Sequence, residues 1–388
     1  MNQIFQFPKT LKTAIIAIAA FSILLVAVSF LLQAHTAKEF WANLLLNGYL
    51  YLSIAGSATL FLAIHTISKS GWHVVIQRIT ESIGCYLPIA GLILLLVLPG
   101  MTSIYEWTHP TTDKLILAKQ PFLNIPFWLV RTFGFIILWS ILTHLIRKQS
   151  LLSDTTESLE PYKKMKHLST IFIPLFVFTF FFSSWDWIVS LEPHWFSTMF
   201  GFYMVCGALA SGVAAIIILV SIIKHFNGLQ SVNNEHLHDL GKYLFAISIF
   251  WGYLWGSQYL LIWFANIPEE TVYYIKRWNE YPVLMNVSVA LNFFVPFLLL
   301  ITRASKRNLA WLTSVALLVL IGHWVDLYIN IMPGATLAAP SISLLAIGMG
   351  LLFFAIFLFV VIRKYTQAAE IPQNHPHLEE SFNYENSY

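Results

Sequence analysis

Ten runs of about 20 mainly apolar residues, each long enough to cross a bilayer, decide what this chain can fold into. They fall at roughly 13–32, 44–67, 84–101, 125–147, 167–187, 195–223, 241–265, 281–302, 309–331 and 341–363. A spanning helix needs about 20 mainly apolar residues, and each run supplies them. The expected fold class is an all-α polytopic membrane protein with about ten transmembrane helices. They would form a single membrane domain over 1–364, followed by a polar tail at 365–388. Composition agrees: 11% of the residues are charged, against about a quarter in a soluble domain. The third run is punctuated by Gly84, Pro88, Gly91, Pro99 and Gly100, which predicts a kink. The first run follows Lys9 and Lys12 as a signal peptide would. It is too long for a typical h-region and has no convincing small-x-small cleavage site, so it is read as an uncleaved span.

Lysine and arginine set the orientation. With the N-terminus inside, sixteen of the 22 fall in inner segments and five in outer ones, and Arg131 lies within span four. That ratio predicts cytoplasmic N- and C-termini, and in a bacterium a periplasmic outer side. A net charge of +3 and the lack of a basic aromatic patch argue against nucleic acid as a partner. Cys85 and Cys206 stand alone in apolar runs, with no CxxCH. They supply no ligand set for a metal, an iron–sulfur cluster or haem c, so no cofactor is expected on this chain alone. The tail is rich in Asn, His, Pro and Glu, which predicts disorder or binding to a partner.

Spans two to five and six to nine each form an up-down set of four, and both sets begin at the outer face. Their last helices end alike, Trp185-Asp186-Trp187 in one and His323-Trp324-Val325-Asp326 in the other. This suggests two four-helix bundles flanked by spans one and ten.

Ionisable residues inside a membrane are costly unless they have a task. His323 and Asp326 are three apart and share a helix face in the outer half of span nine. They could pass a proton through water or clamp two helices together. Arg131 and Asp186 should reach similar depth on antiparallel neighbours. They could form an ion pair or a polar pocket for a quinone head group, unless Arg131 snorkels outward. Glu192 and His194 flank Pro193 in a short outer turn. Pro193 suits the first turn of the next helix, Glu192 its positive end, and the two titratable groups would also suit a proton exit.

Asn266-Ile267-Pro268-Glu269 has the pattern of a capping box, so Glu269 is expected as a cap rather than a catalyst. The stretch to Tyr281 reads as a short interfacial helix. Ser257 and Gln258, polar in mid-membrane, could bond between helices or line a water wire. His65 and His144 lie near the inner ends of spans two and four. They could ligate a b-type haem but are read rather as solvated. The inner half otherwise shows Ser, Thr and Tyr and no mid-membrane carboxylate.

Three separated stretches carry a family resemblance. They run from Trp185-Asp186-Trp187 to Tyr203, from Ser257-Gln258-Tyr259 to Thr271, and over Gly322-His323-Trp324-Val325-Asp326-Leu327-Tyr328. With the ten-span layout they resemble the ActF subunits of bacterial alternative complex III, which are similar to NrfD/PsrC-type membrane subunits. The resemblance implies a bacterial inner-membrane complex in which quinol or menaquinol is oxidised and electrons pass to a cytochrome c or a terminal oxidase. It places haem c and iron–sulfur clusters in partner subunits, and the quinol site rather in a related ten-helix ActC-type neighbour. For this chain it implies two four-helix bundles, bound lipid, a role in assembly and a polar path for protons. The roles given above to Asp186, His323 and Asp326 rest on the residues themselves. Two other functions suit the same sequence. A secondary transporter would need paired interrupted helices at the midplane. A purely structural anchor would use its ionisable residues for packing.

Overall fold

The computed structural model describes residues 4–32, 36–336 and 342–385. Among these the regular structure is helical, with ten helices long and apolar enough to cross a membrane. Spans one to five are Lys9–Leu31, Ala37–Ile67, Trp72–Ile104, Ile125–Ser153 and Glu160–Leu191. Spans six to ten are Thr198–His225, Asn234–Ala265, Pro282–Leu299, Leu309–Ala335 and Leu344–Tyr365. The start expected for span ten, residue 341, lies outside the described residues. An even number of crossings returns the chain to the side it left, and Phe5 packs edge-on against Tyr365. That side is the terminal face; the other is the distal face.

Local chemistry fixes the helix ends. The side chains of Thr36, Asn124, Asn308 and Ser343 accept from backbone N–H groups in the first turns of spans two, four, nine and ten. Each satisfies a donor that the helix cannot. Asn233 opens span seven in a reciprocal box with His236. Asn266, at φ 50°, closes that span in the left-handed conformation, which asparagine tolerates better than most residues.

Two bundles of four form around a shared seam. In the first, span two packs on spans three and five, and span four on three and five. In the second, span six packs on seven and nine, and span eight on seven and nine. Spans two and six cross at the centre, where two also meets nine and six also meets five. The pairings of one bundle thus repeat in the other. Span two is the most enclosed, with 89% of its apolar window buried, and span one the least, at 17%. Span one lies at the periphery against span ten.

Two spans depart from a continuous α-helix. Span three is broken into Gln77–Gly84, Leu87–Leu95 and short turns beyond, as its glycines and prolines predict. Span eight carries a π turn over Ala290–Phe294, just before Pro296. Such turns insert a residue and re-aim the side chains around them.

The tail, expected to be disordered or bound to a partner, packs against its own chain among the described residues. From residue 366 to 385 it lies along the terminal face of its own chain. The Glu370 carboxylate accepts from Leu229 N at 2.9 Å, and Gln373 N donates to Asp154 Oδ1 at 2.9 Å. Ser381 Oγ donates to Trp72 O at 3.0 Å, and Tyr384 OH to Asp239 Oδ2 at 2.5 Å. Its polar residues pair with backbone and carboxylate groups at the ends of the spans, so low hydrophobicity here reflects capping.

His375 makes this docking sensitive to pH. It is buried edge-on against Tyr162, and burial, then the neighbouring His377, lowers its pKa to about 4 from 6.5. The docked tail therefore binds fewer protons than a free one. Docking is at full strength above about pH 6.5 and weakens as the pH falls toward 4. The gap corresponds to on the order of 3 kcal/mol. Proteolysis within 366–385 should accelerate over that range; a cleavage rate flat from pH 7.5 to 4.5 would exclude the effect.

Candidate functional site: a buried polar chain beneath the distal face

Span nine turns His323, Asp326 and Asn330 toward the interior of the second bundle, and both His323 and Asp326 are 3% exposed. Tyr203 OH, from span six, donates to Asp326 Oδ1. Ser288 Oγ, from span eight, donates to the same oxygen at 3.1 Å. Asn292 lies one turn along, inside the π turn, and donates to Ser288 Oγ at 3.4 Å. Gly322 permits this approach: a Cβ there would stand 2.4 Å from Asn292 Oδ1. No Lys, Arg or His pairs with Asp326 among the described residues. It is a buried carboxyl held by neutral donors.

The hydrogen bonds continue toward the distal face. Asn330 Nδ2 donates to Tyr203 OH at 3.2 Å and to Asp326 O at 2.8 Å. Tyr273 OH donates to Asn330 Oδ1 at 2.6 Å. Tyr273 belongs to the interfacial helix Pro268–Glu280, whose Arg277 lies 3.2 Å over the Tyr273 ring. Arg277 donates to Tyr273 O at 3.0 Å, to Ile329 O at 2.9 Å and to Glu192 Oε2 at 2.6 Å. Burial pulls the Arg277 pKa down, but the Glu192 carboxylate more than offsets this and leaves it raised. Burial raises the Tyr273 phenol, with Arg277 opposing. A polar chain thus links Glu192, at the edge of a distal cavity of about 730 Å³, to Asp326 inside the membrane.

Two small cavities of about 10 Å³ flank Asp326. One is lined by Tyr203, Gln258, Tyr273, Arg277 and Asn330, the other by Tyr49, Ser53, Ser211 and His323. Each approaches the room of one water with several polar partners. His323 shares the second cavity with Asp326 and makes no hydrogen bond to it. Its ring meets Trp251 edge-on, and its Nε2 has no partner among the described residues.

The remaining candidates separate. Arg131 and Asp186 form a bidentate ion pair at 2.6 and 2.8 Å. Its geometry is that of a structural clamp, since Phe122 and Phe127 cover the guanidinium at 4.0 and 4.1 Å. Glu192 and His194 part company. Glu192 faces Arg277 and, at 3.8 Å, Lys276, while the exposed His194 lies 3.6 Å from Asp113. Pro193 is not in the first turn of span six, which begins at Thr198. The 3₁₀ turn Val189–Leu191 holds the preceding chain away from a helical path.

The capping box at Asn266 is also corrected. Asn266 ends span seven, and the interfacial helix starts after Ile267 with no side-chain cap. Glu269 is exposed on the wall of the distal cavity. His65 is buried, not solvated, and its Nδ1 bonds Phe61 O at 2.8 Å. His144 is exposed. His65 packs instead on Trp72, His73 and Tyr243, so the two histidines do not converge on a haem. Gln258 is buried beside Asp326, whereas Ser257 is half-buried and outside that cavity.

The terminal half does hold a carboxylate. Glu81, 3% exposed, accepts from Ser150 at 2.5 Å, Gln77 at 2.9 Å and Arg78 at 2.7 Å. Arg78 also pairs with Asp154. The stretch 68–83 falls between the runs expected as spans two and three, but Gln77–Gly84 folds into the bundle as a helix. The signal was present: Gln77, Arg78 and Glu81 at helical spacing, with Ile79 between them and Ile83 just beyond. Asn330, one turn from Asp326, was legible in the same way. Arg277 was not, because its partner Glu192 is 85 residues distant.

The class these features define is a polytopic helical membrane protein with a polar chain buried in its second bundle. No protein-family model matches the chain, and no curated protein matches it.

Proposed function

We propose that this chain is a membrane subunit, without a cofactor of its own, of a quinol:electron-acceptor oxidoreductase resembling alternative complex III. It supports assembly and carries protons between the second bundle and the distal face. In this reading it sits in a bacterial inner membrane with both termini cytoplasmic, so the distal face is periplasmic. The concentration of Lys and Arg on the terminal side favours that orientation. Quinol oxidation, haem c and iron–sulfur chemistry then belong to partner subunits, including an ActC-like neighbour.

The observation that carries the reading is the environment of Asp326. A buried carboxyl without a cationic partner can take up and release a proton, and this one is wired by hydrogen bonds toward Glu192. The three stretches that carry the family resemblance also meet there: Tyr203, Gln258 and Asp326, one from each, line a single cavity. A proton passes from Asp326 through the Tyr203 hydroxyl and a water in that cavity, and leaves past Arg277 at Glu192. Asn330 orients Tyr203 but, as an amide, does not itself carry the proton. A transporter would favour matching breaks in corresponding spans. Span three is broken, whereas its counterpart, span seven, runs unbroken from Asn234 to Ala265.

Asp326→Asn within the intact complex, reconstituted in vesicles, tests the reading. Distal proton release per electron should fall while c-type haem is retained. Turnover and stoichiometry both equal to the parent's would remove the proton role and leave an anchor.

A further inference from the structure

A second chamber, of about 350 Å³, lies at the distal rim of the first bundle and away from Asp326. The segment around Lys119 and Phe122, the end of span five at Trp185 and the turn through Val189 to Phe196 enclose it. Its walls are mostly apolar or aromatic. Phe196 is 63% exposed, and Trp185 marks the distal end of a span, so the chamber faces outward at headgroup level.

One polar group in its lining is not explained by the fold. Lys119 donates to Pro193 O at 2.5 Å and lies 5.5 Å from the Phe196 ring. It forms no ion pair among the described residues, although Asp113, on the same segment, does so with His194. A half-buried ammonium is more stable beside an anion.

We infer that this chamber holds an anionic phospholipid, with an acyl chain between Trp185, Phe122 and Phe196 and its phosphate against Lys119. Charge complementarity selects this occupant. A zwitterionic lipid would bring a second cation to Lys119, and a soluble anion would leave the aromatic walls unused. Burial lowers the Lys119 pKa, an effect that a bound phosphate would oppose. The site is independent of any proton role for Asp326.

The test is native mass spectrometry of the full chain, delipidated in mild detergent and titrated with phosphatidylglycerol or phosphatidylcholine. The parent should retain phosphatidylglycerol about fivefold better, the effect expected of one basic residue at a membrane surface. Lys119→Gln should bind the two lipids equally, and Lys119→Arg should keep the preference. Equal retention by the parent, or an undiminished preference in Lys119→Gln, would overturn the assignment. Phe196→Asp, which puts a negative charge at the chamber mouth, gives a second arm. It should reduce phosphatidylglycerol more than phosphatidylcholine, and a loss confined to phosphatidylcholine would count against the site.

Discussion

Arg131→Met should destabilise the protein by about 3–5 kcal/mol, the usual effect of removing one partner from a buried ion pair. Asp186 is fully buried, and the two bonds from Arg131 satisfy both of its carboxylate oxygens. The same guanidinium donates to Phe122 O at 2.9 Å and so ties the distal loop to span four. Methionine fills much of the volume between Phe122 and Phe127 but strands the carboxylate and that carbonyl. Pairing the change with Asp186→Leu should recover part of the loss, because an apolar pair of similar volume avoids the stranded charge. Thermal unfolding in detergent measures both. A melting temperature for Arg131→Met equal to the parent's would show that the pair does not hold the bundle.

Tyr203→Phe should separate proton passage from folding. The change removes one hydroxyl and keeps the ring, which packs against Phe200 and Trp251. Asp326 retains Ser288, and Asn330 retains its bond to Asp326 O. The stability cost should therefore be about 1 kcal/mol. Losing a positioned proton-transfer group typically slows the step 10²–10⁴-fold, so distal proton release in the reconstituted complex should fall by about 10²-fold or more. Unchanged release with an unchanged melting temperature would make Tyr203 a packing residue. A fall in both together would show that its hydroxyl serves the fold.

The ten spans were legible because lipid leaves a polar backbone so few ways to cross. The Arg131–Asp186 contact was legible for a related reason: antiparallel neighbours joined by a short turn must match in depth. His323 and Asp326 could be placed on one face, but sequence spacing could not show that a cavity, and not a bond, joins them. The less legible parts lie where the chain folds back. Arg277 reaches Glu192 only because the interfacial helix returns beneath the distal turn. Glu81 enters the first bundle only because the stretch between spans two and three becomes a helix packed mainly on span two. The tail looked free because its partners, Leu229, Asp154, Trp72 and Asp239, are scattered over more than 150 residues of sequence.

The repeated pairing of the two bundles has a further consequence. Near the distal end of each fourth helix stands an aspartate, but the two have opposite surroundings. Asp186 is gripped by a guanidinium, whereas Asp326 is held by a phenol and a hydroxyl. A carboxylate locked to a permanent cation makes a strong rivet and a poor switch, and one among neutral donors is the reverse. A single four-helix unit would have to compromise between these demands at its one aspartate. Two joined units need not: one rivets its aspartate to a cation, and its twin leaves the matching aspartate among neutral donors.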